Sequence, residues 1–217
     1  MDFATARQKM VESQLRTNKV TDEGVLEAMR EIPRESFVPM LLRDIAYIDE
    51  DIEIAAGRYI MEPMIVGRMM QASQIDENDS ILIIGSATGY MAAVAGKLAS
   101  TVFAVESDAD LAEQSESLLT EMAMDNIIVQ KGPLKAGCAK QGPFDVILID
   151  GAVDGVPDEV IKQLADGGRL LAVIKQNSLV GVMTLFKNQK DHVSKTPLFD
   201  ANVKSLNEFD NAAEFAL

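Results

Sequence analysis

The sequence predicts an α/β protein: a doubly wound, mostly parallel sheet of Rossmann-like form, with a helical cap ahead of it. Three observations carry this. From residue 80 onward, short runs that are apolar on both faces alternate with helical stretches, as a parallel sheet covered on both sides requires. Before residue 80 the apolar residues recur at helical spacing, and prolines fall where helices begin or end. The length of 217 residues suits one domain with a sizeable core.

Along the chain, Met10, Val11, Gln14 and Leu15 mark one helical face. Thr21 reads as the N-cap of a second helix carrying Val25, Leu26 and Met29, which should stop before Pro33. Pro39 breaks the chain again, and Gly57 to Met61 reads as a loop. Pro63 then suits the first turn of a helix carrying Ile65, Val66, Met69 and Met70. Strands are expected at Ser80 to Ile84 and Thr101 to Val105, with a helix from Tyr90 to Ala99 between them and another from Asp108 to Met124 after them. Asn126 to Gln130, Phe144 to Asp150 and Gly168 to Ile174 keep the alternation, with a helix opening near Pro157. Val180 to Phe186 and His192 to Phe199 read as late strands, including an antiparallel one.

Composition excludes several classes. With 34 acidic against 20 basic residues the formal charge is −14, and no Lys/Arg block interrupts the excess, so nucleic acid is not an expected partner. The single cysteine, Cys138, has no partner within the chain, which points to a reducing, cytoplasmic setting. The start MDFATARQKM lacks the apolar core of a signal peptide, and no run approaches ~18 uninterrupted apolar residues. A soluble protein is therefore expected, with no membrane partner.

The stretch ILIIGSATGY, residues 81 to 90, carries the chemistry. A glycine closing the first strand permits a tight turn and close approach of a ligand to backbone, and an acid about 20 residues on can bond a ribose hydroxyl pair. Gly85 and Glu106 stand in that relation. The middle glycine of a dinucleotide pattern is Ala87 here, and no third glycine follows at the usual spacing, which disfavours a dinucleotide. A single nucleoside with a short charged tail, such as S-adenosylmethionine, needs less clearance. The expected cofactor contacts are Ile84, Gly85, Ser86, Ala87, Gly89, Glu106, Gly132 and Asp150, with Glu106 bonding ribose at a strand end outside the core packing.

Over nearly its whole length the sequence resembles the protein-L-isoaspartate O-methyltransferase family. The segments RQKMVESQL, VLEAMREIPRESFVP, AYID at 46 to 49, the glycine and proline of GRYIMEP, the GSATGY turn and QLADGGRLLAVI follow that family's order and spacing. The resemblance implies a class I methyltransferase that moves a methyl group from S-adenosylmethionine to the carboxylate of L-isoaspartyl residues in damaged proteins. It further implies that residues 1–78 form the cap and substrate loop and 79–217 the cofactor domain, as one compact unit.

Three departures from the family pattern stand out. Where the family's substrate loop carries threonine, isoleucine and serine, this chain has Tyr59, Ile60 and Met61, and the Met61 thioether offers no donor to orient a carboxylate. The family's acid two positions before the first glycine is Ile83, which removes a partner for the cofactor's ammonium. Its Gly-Asp-Gly becomes Gly132, Pro133 and Leu134, which removes an acceptor for the adenine amino group. Transfer to an ionised carboxylate needs no proton removal, so backbone amides around Ile60 and Met61 suffice in principle to align it. Two readings result: an enzyme, whose activity these losses weaken, and a degenerate member that binds a ligand or partner without transferring methyl. A transfer-RNA methyltransferase on a related fold is a distant third, opposed by the charge.

Other candidates are weaker. His192 reads as a strand surface residue and Cys138 as a passive thiol. Asp145 and Asp150 resemble strand-end acids of metal-dependent methyltransferases, but nothing follows to complete a metal site, so Asp150 is assigned to the cleft and no metal is expected. The twelve methionines are read mainly as core filler.

Overall fold

A computed structural model describes residues 2–175, 180–190 and 192–209; the remainder, including the final stretch of the expected second unit, lies outside the described residues. Helix α1, Phe3–Met10, is capped by Asp2, whose carboxylate accepts from the Thr5 amide at 3.2 Å. It widens into a π-helical turn at Val11–Leu15 and ends where Lys19 takes a left-handed φ of 67°. Helix α2 spans Glu23–Glu31. Its cap is Asp22, one residue later than expected from Thr21, because the Asp22 carboxylate accepts from the Val25 amide at 3.1 Å. The Thr21 amide is instead used by the Gln71 side chain at 2.6 Å, which ties this corner to the next helix.

Residues 57–61, expected as a loop, form half of a short antiparallel hairpin: β1, Ile52–Ala55, pairs with β2, Arg58–Ile60, around Gly57 at φ 71°. Alternation is legible in retrospect, since Arg58 and Ile60 face inward and Tyr59 does not. Helix α3, Pro63–Ser73, starts on its proline as expected.

The sheet follows: β3 Ser80–Ile84, α4 Tyr90–Gly96, β4 Thr101–Glu106, α5 Ala109–Glu121, β5 Ile127–Lys131, β6 Phe144–Val153, the short α6 Asp158–Ile161, β7 Leu164–Ile174, β8 Gly181–Gln189 and β9 His192–Ala201. The strand order is β5-β4-β3-β6-β7-β8-β9, parallel from β5 through β7 and antiparallel at β8 and β9. Strand direction of build-out reverses between β3 and β6, which opens a crevice beyond their carboxyl ends. Both faces are covered. Ile81, Ile83, Val146 and Leu148 pack toward α3, α4 and the N-terminal helices, while Leu82, Ile84, Ile147 and Ile149 pack toward Val160, Leu134 and the chain's last described residues. Among the methionines, Met10, Met29, Met69 and Met70 are core residues and Met40 is exposed. No helix among the described residues is long and apolar enough to cross a membrane.

Gly89 shows why the glycine turn is built as it is. Its φ is 95°, and a Cβ there would overlap Ser115 Oγ and lie 3.3 Å from Leu119, both on α5. The glycine is thus required by helix packing independently of any ligand. Gly89→Ala is expected to cost about 2–4 kcal/mol of unfolding free energy in urea, from backbone strain plus overpacking. Gly167→Ala, at φ 81° with no atom within 4 Å of its Cβ, should cost only about 1 kcal/mol. Equal losses would remove the packing component.

Candidate functional site

At the end of β3 the amides of Gly85 and Ser86 both donate to the Val105 carbonyl, at 2.9 and 3.2 Å, and the Gly89 amide closes the turn on Ser86 O at 2.7 Å. Gly85 at φ 81° and Ala87 at φ 50° are left-handed, a conformation that a methyl side chain adopts only under strain. The turn aims the Ala87 amide at Glu106 Oε2, 2.8 Å away. Gly132 continues the sheet, its amide donating to the Glu106 carbonyl at 2.9 Å.

Glu106 is fully buried. Its Oε1 accepts from Arg58 Nη2 at 2.8 Å and from the amides of Ser107 and Asp108 at 2.8 and 2.9 Å. Glu106 does end β4 as expected, but it lies inside the packing rather than outside it. Glu106 joins the glycine turn, the start of α5 and the hairpin, and its acceptor sites are already used. Arg58, which sequence reasoning missed, also reaches Ser107 Oγ at 2.6 Å and Glu208 at 2.9 Å.

The crevice itself holds a segment that follows β9, residues 204–209. After β9 the backbone returns across β6: Ala152 donates to Lys204 O at 2.9 Å, and the Leu206 amide donates to Ala152 O at 2.8 Å. Leu206, 4% exposed, lies within 2.9 Å of where a Cβ on Gly85 would stand and 2.7 Å from one on Gly151. Phe209, 2% exposed, packs in the same cluster as Leu134 and Val105, under the Lys135 ammonium. What stays open above Arg58 is a cleft of about 270 Å³ bounded by Gly57, Ser107 and Glu208, below the roughly 300–1,000 Å³ of small-molecule sites. A cavity of about 540 Å³ between residues 36–43 and α5 touches the glycine turn only at Thr88. A nucleoside thus fits the framework of this crevice but not its present contents.

On the hairpin side, Arg34 is wholly buried. Its Nε donates to Ala46 O at 2.7 Å and its Nη2 to Met61 O at 2.8 Å, while its guanidinium carbon sits 4.8 Å from the Tyr90 ring centroid. Met61 points inward with 1% exposure, whereas Tyr59 lies half-buried on the outer face. Asp51 accepts from the amides of Glu62 at 2.8 Å and Lys204 at 2.6 Å, so it clips the hairpin to the returning segment. Arg34 Nη1, Tyr90 OH, Ser86 Oγ and Asp150 Oδ1 are buried without hydrogen-bond partners. Of the weaker candidates, His192 is exposed on β9, Cys138 is buried with its thiol pushed up by burial, and Asp145 caps the far end of the sheet by accepting from the Ser80 amide at 2.9 Å.

Burial, opposed by Arg34 and reinforced by Asp51, raises the Asp150 carboxyl from 3.8 to about 8. Burial likewise raises Glu62 to about 7, with Asp49 and Asp51 adding to it. In the unfolded chain Asp150 ionises near its ordinary value, so the stability its proton confers is greatest below that value and is lost as pH rises toward 8. Asp150→Asn should flatten the fall of the thermal midpoint between about pH 5 and 8, with Glu62 supplying the residual slope. An unchanged slope would mean that Asp150 is ionised in the fold. Arg58→Met, which strands a buried carboxylate, is expected to cost about 3–5 kcal/mol, and Arg58→Met with Glu106→Gln should recover much of it in a urea double-mutant cycle.

The sequence model of the family described as Protein-L-isoaspartate(D-aspartate) O-methyltransferase matches residues 5–202. The chain is 40% identical over 198 residues to the Protein-L-isoaspartate O-methyltransferase of Koribacter versatilis, covering 91% of this chain and 89% of that one. It is 40% identical over 169 residues to Protein-L-isoaspartate O-methyltransferase 2 of Shewanella sediminis, covering 78% and 69%. A solved structure named Protein-L-isoaspartate O-methyltransferase superposes with a TM-score of 0.80 at 25% identity, over 92% of this chain and 65% of that one. A putative protein-L-isoaspartate O-methyltransferase from Plasmodium falciparum, solved with S-adenosyl-L-homocysteine, has the same fold, at TM-score 0.78 and 20% identity over 93% of this chain and 98% of that one. With a doubly wound sheet, a glycine turn facing a strand-end glutamate, and relatives of this similarity along most of its length, the chain belongs to the protein-L-isoaspartate O-methyltransferase family.

Proposed function

We propose that this protein transfers methyl from S-adenosylmethionine to the carboxylate of L-isoaspartyl residues in damaged cytoplasmic proteins, with slow turnover. Family membership supports the reaction class. The observation that carries the cofactor is the Ala87 amide and the Glu106 carboxylate meeting 2.8 Å apart at the switch point of the sheet, above the side-chain-free Gly85. In this reading the backbone of Ile84 through Gly89 and Gly132 cradles the nucleoside, Glu106 receives the ribose, and Asp150 borders the tail. Tyr59, Ile60 and Met61 border the acceptor.

When bound, the cofactor supplies an electrophilic methyl group on a sulfonium. The acceptor carboxylate is already ionised at neutral pH, so the chain's task is alignment and exclusion of water rather than proton transfer. Arg34 holds the Met61 carbonyl and thereby fixes the loop that would carry the acceptor. The acidic surface and the absence of a basic block support protein over nucleic acid as substrate. A second reading, a ligand-binding member that transfers nothing, is favoured by Met61: its side chain faces the core and offers no hydroxyl, while Ile83 is buried between Ala104 and Leu148 and Pro133 gives the purine side no acceptor.

Label transfer from radioactive cofactor to an isoaspartyl peptide, against the matched aspartyl peptide, decides between them. No transfer above background at millimolar cofactor supports the non-catalytic reading. Met61→Ser alone is expected to leave the rate within about twofold, because a hydroxyl there enters an apolar cluster and restores neither cofactor contact; a rise of about tenfold or more, ~1.4 kcal/mol, would show that the missing hydroxyl was the main defect.

A further inference from the structure

The returning segment and a nucleoside require the same space. We infer that residues Lys204–Phe209 are an intrasteric plug that competes with the nucleoside cofactor for the crevice, an inference that rests on the cofactor proposed above. Leu206 fills the volume left by two glycines of positive φ, Gly85 at 81° just after β3 and Gly151 at 147° within β6. Phe209 supplies an aromatic ring beside Leu134, on the side of the crevice where Gly132 and Pro133 end β5. Glu208 acts through charge: its carboxylate holds Arg58 at 2.9 Å, and Arg58 in turn occupies Glu106 at 2.8 Å, so the segment keeps the ribose acceptor engaged.

The attachment is a single parallel bridge, Ser205 beside Ala152, rather than a full strand. Only Leu206 and Phe209 are buried, three residues apart, while Asn202, Lys204, Asn207 and Glu208 are exposed. Its main-chain bonds to the body are two at Ala152, plus the Lys204 amide on the Asp51 carboxylate. The family match ends at residue 202, just before the segment. Release of two anchor side chains, the two bonds at Ala152, the Lys204 bond to Asp51 and the contacts of Glu208 with Arg58 and Ser107 would clear the crevice without opening the sheet, and would free Arg58 to leave Glu106.

The test titrates S-adenosylhomocysteine into the full chain and into Leu206→Ser/Phe209→Ser by calorimetry. The double variant is expected to bind about tenfold or more tighter. Because it removes two buried anchors and its folding must be checked by circular dichroism, Glu208→Gln serves as a second variant at an exposed position, with about threefold tighter binding expected from weaker retention of Arg58. In the wild type, hydrogen exchange should show the amides of residues 204–209 losing protection as the ligand is added. Equal affinity in all folded forms, binding by none of them, or ligand binding that leaves protection at 204–209 unchanged would overturn the plug. A variant that binds more tightly yet transfers no methyl to the isoaspartyl peptide leaves the plug standing and overturns the proposed function instead.

Discussion

The carboxylate of Glu106 is the point on which the functional end of the molecule depends. The parallel ladder of β4 delivers it to the carboxyl edge of the sheet and buries it completely. A buried charge must be paired and hydrogen-bonded or it destabilises the fold. The partners come from four separate places: the turn amide of Ala87, the first amides leading into α5, the guanidinium of Arg58 on the hairpin and, through that guanidinium, Glu208 near the chain's end. One ionised group therefore fixes the geometry of the glycine turn, the hairpin and the returning segment relative to one another.

The departures from the family pattern share a direction. Ile83 and Met61 place apolar side chains where the resemblance implied an acid and a hydroxyl, and both are wholly inside the core. Leu134 follows Pro133 into the crevice, with a terminal carbon 3.6 Å from the position of a Gly85 Cβ. Leu134 shares its cluster with Leu206 and Phe209, whose burial favours the closed form by roughly 1.5–3 kcal/mol per side chain at full desolvation. The crevice thus combines a glycine floor, these apolar side chains and the buried charges of Glu106 and Arg58.

Much of this was legible in the sequence where the signal is local. The limits of β3 and β4 followed from runs apolar on both faces, the start of α3 from Pro63, and the placing of Glu106 from its spacing to Gly85. The hairpin reads as a loop in sequence because β2 has only three residues beside a glycine, and a three-residue alternation gains meaning only once its inward side chains are seen. Asp22 and Thr21 are both competent caps, and the choice between them rests on Gln71, 50 residues away and visible only once α3 has packed. Arg58 and Leu206 carried no signal at all. Their roles come from contacts spanning 48 residues to Glu106 and 150 to Glu208, and from two glycines brought together by the crossover, none of which a window along the chain can register.

The position of the returning segment orders events in time. It docks on Ala152, Gly151 and Gly85, but it follows β9, which must first be laid against β8 at the far edge of the sheet. Lifting this segment is therefore a local opening, at a free energy below that of global unfolding, since it leaves the ladder from β5 to β9 intact. Access to the glycine-floored crevice is then timed by how often residues 204–209 lift, not by the unfolding of the sheet.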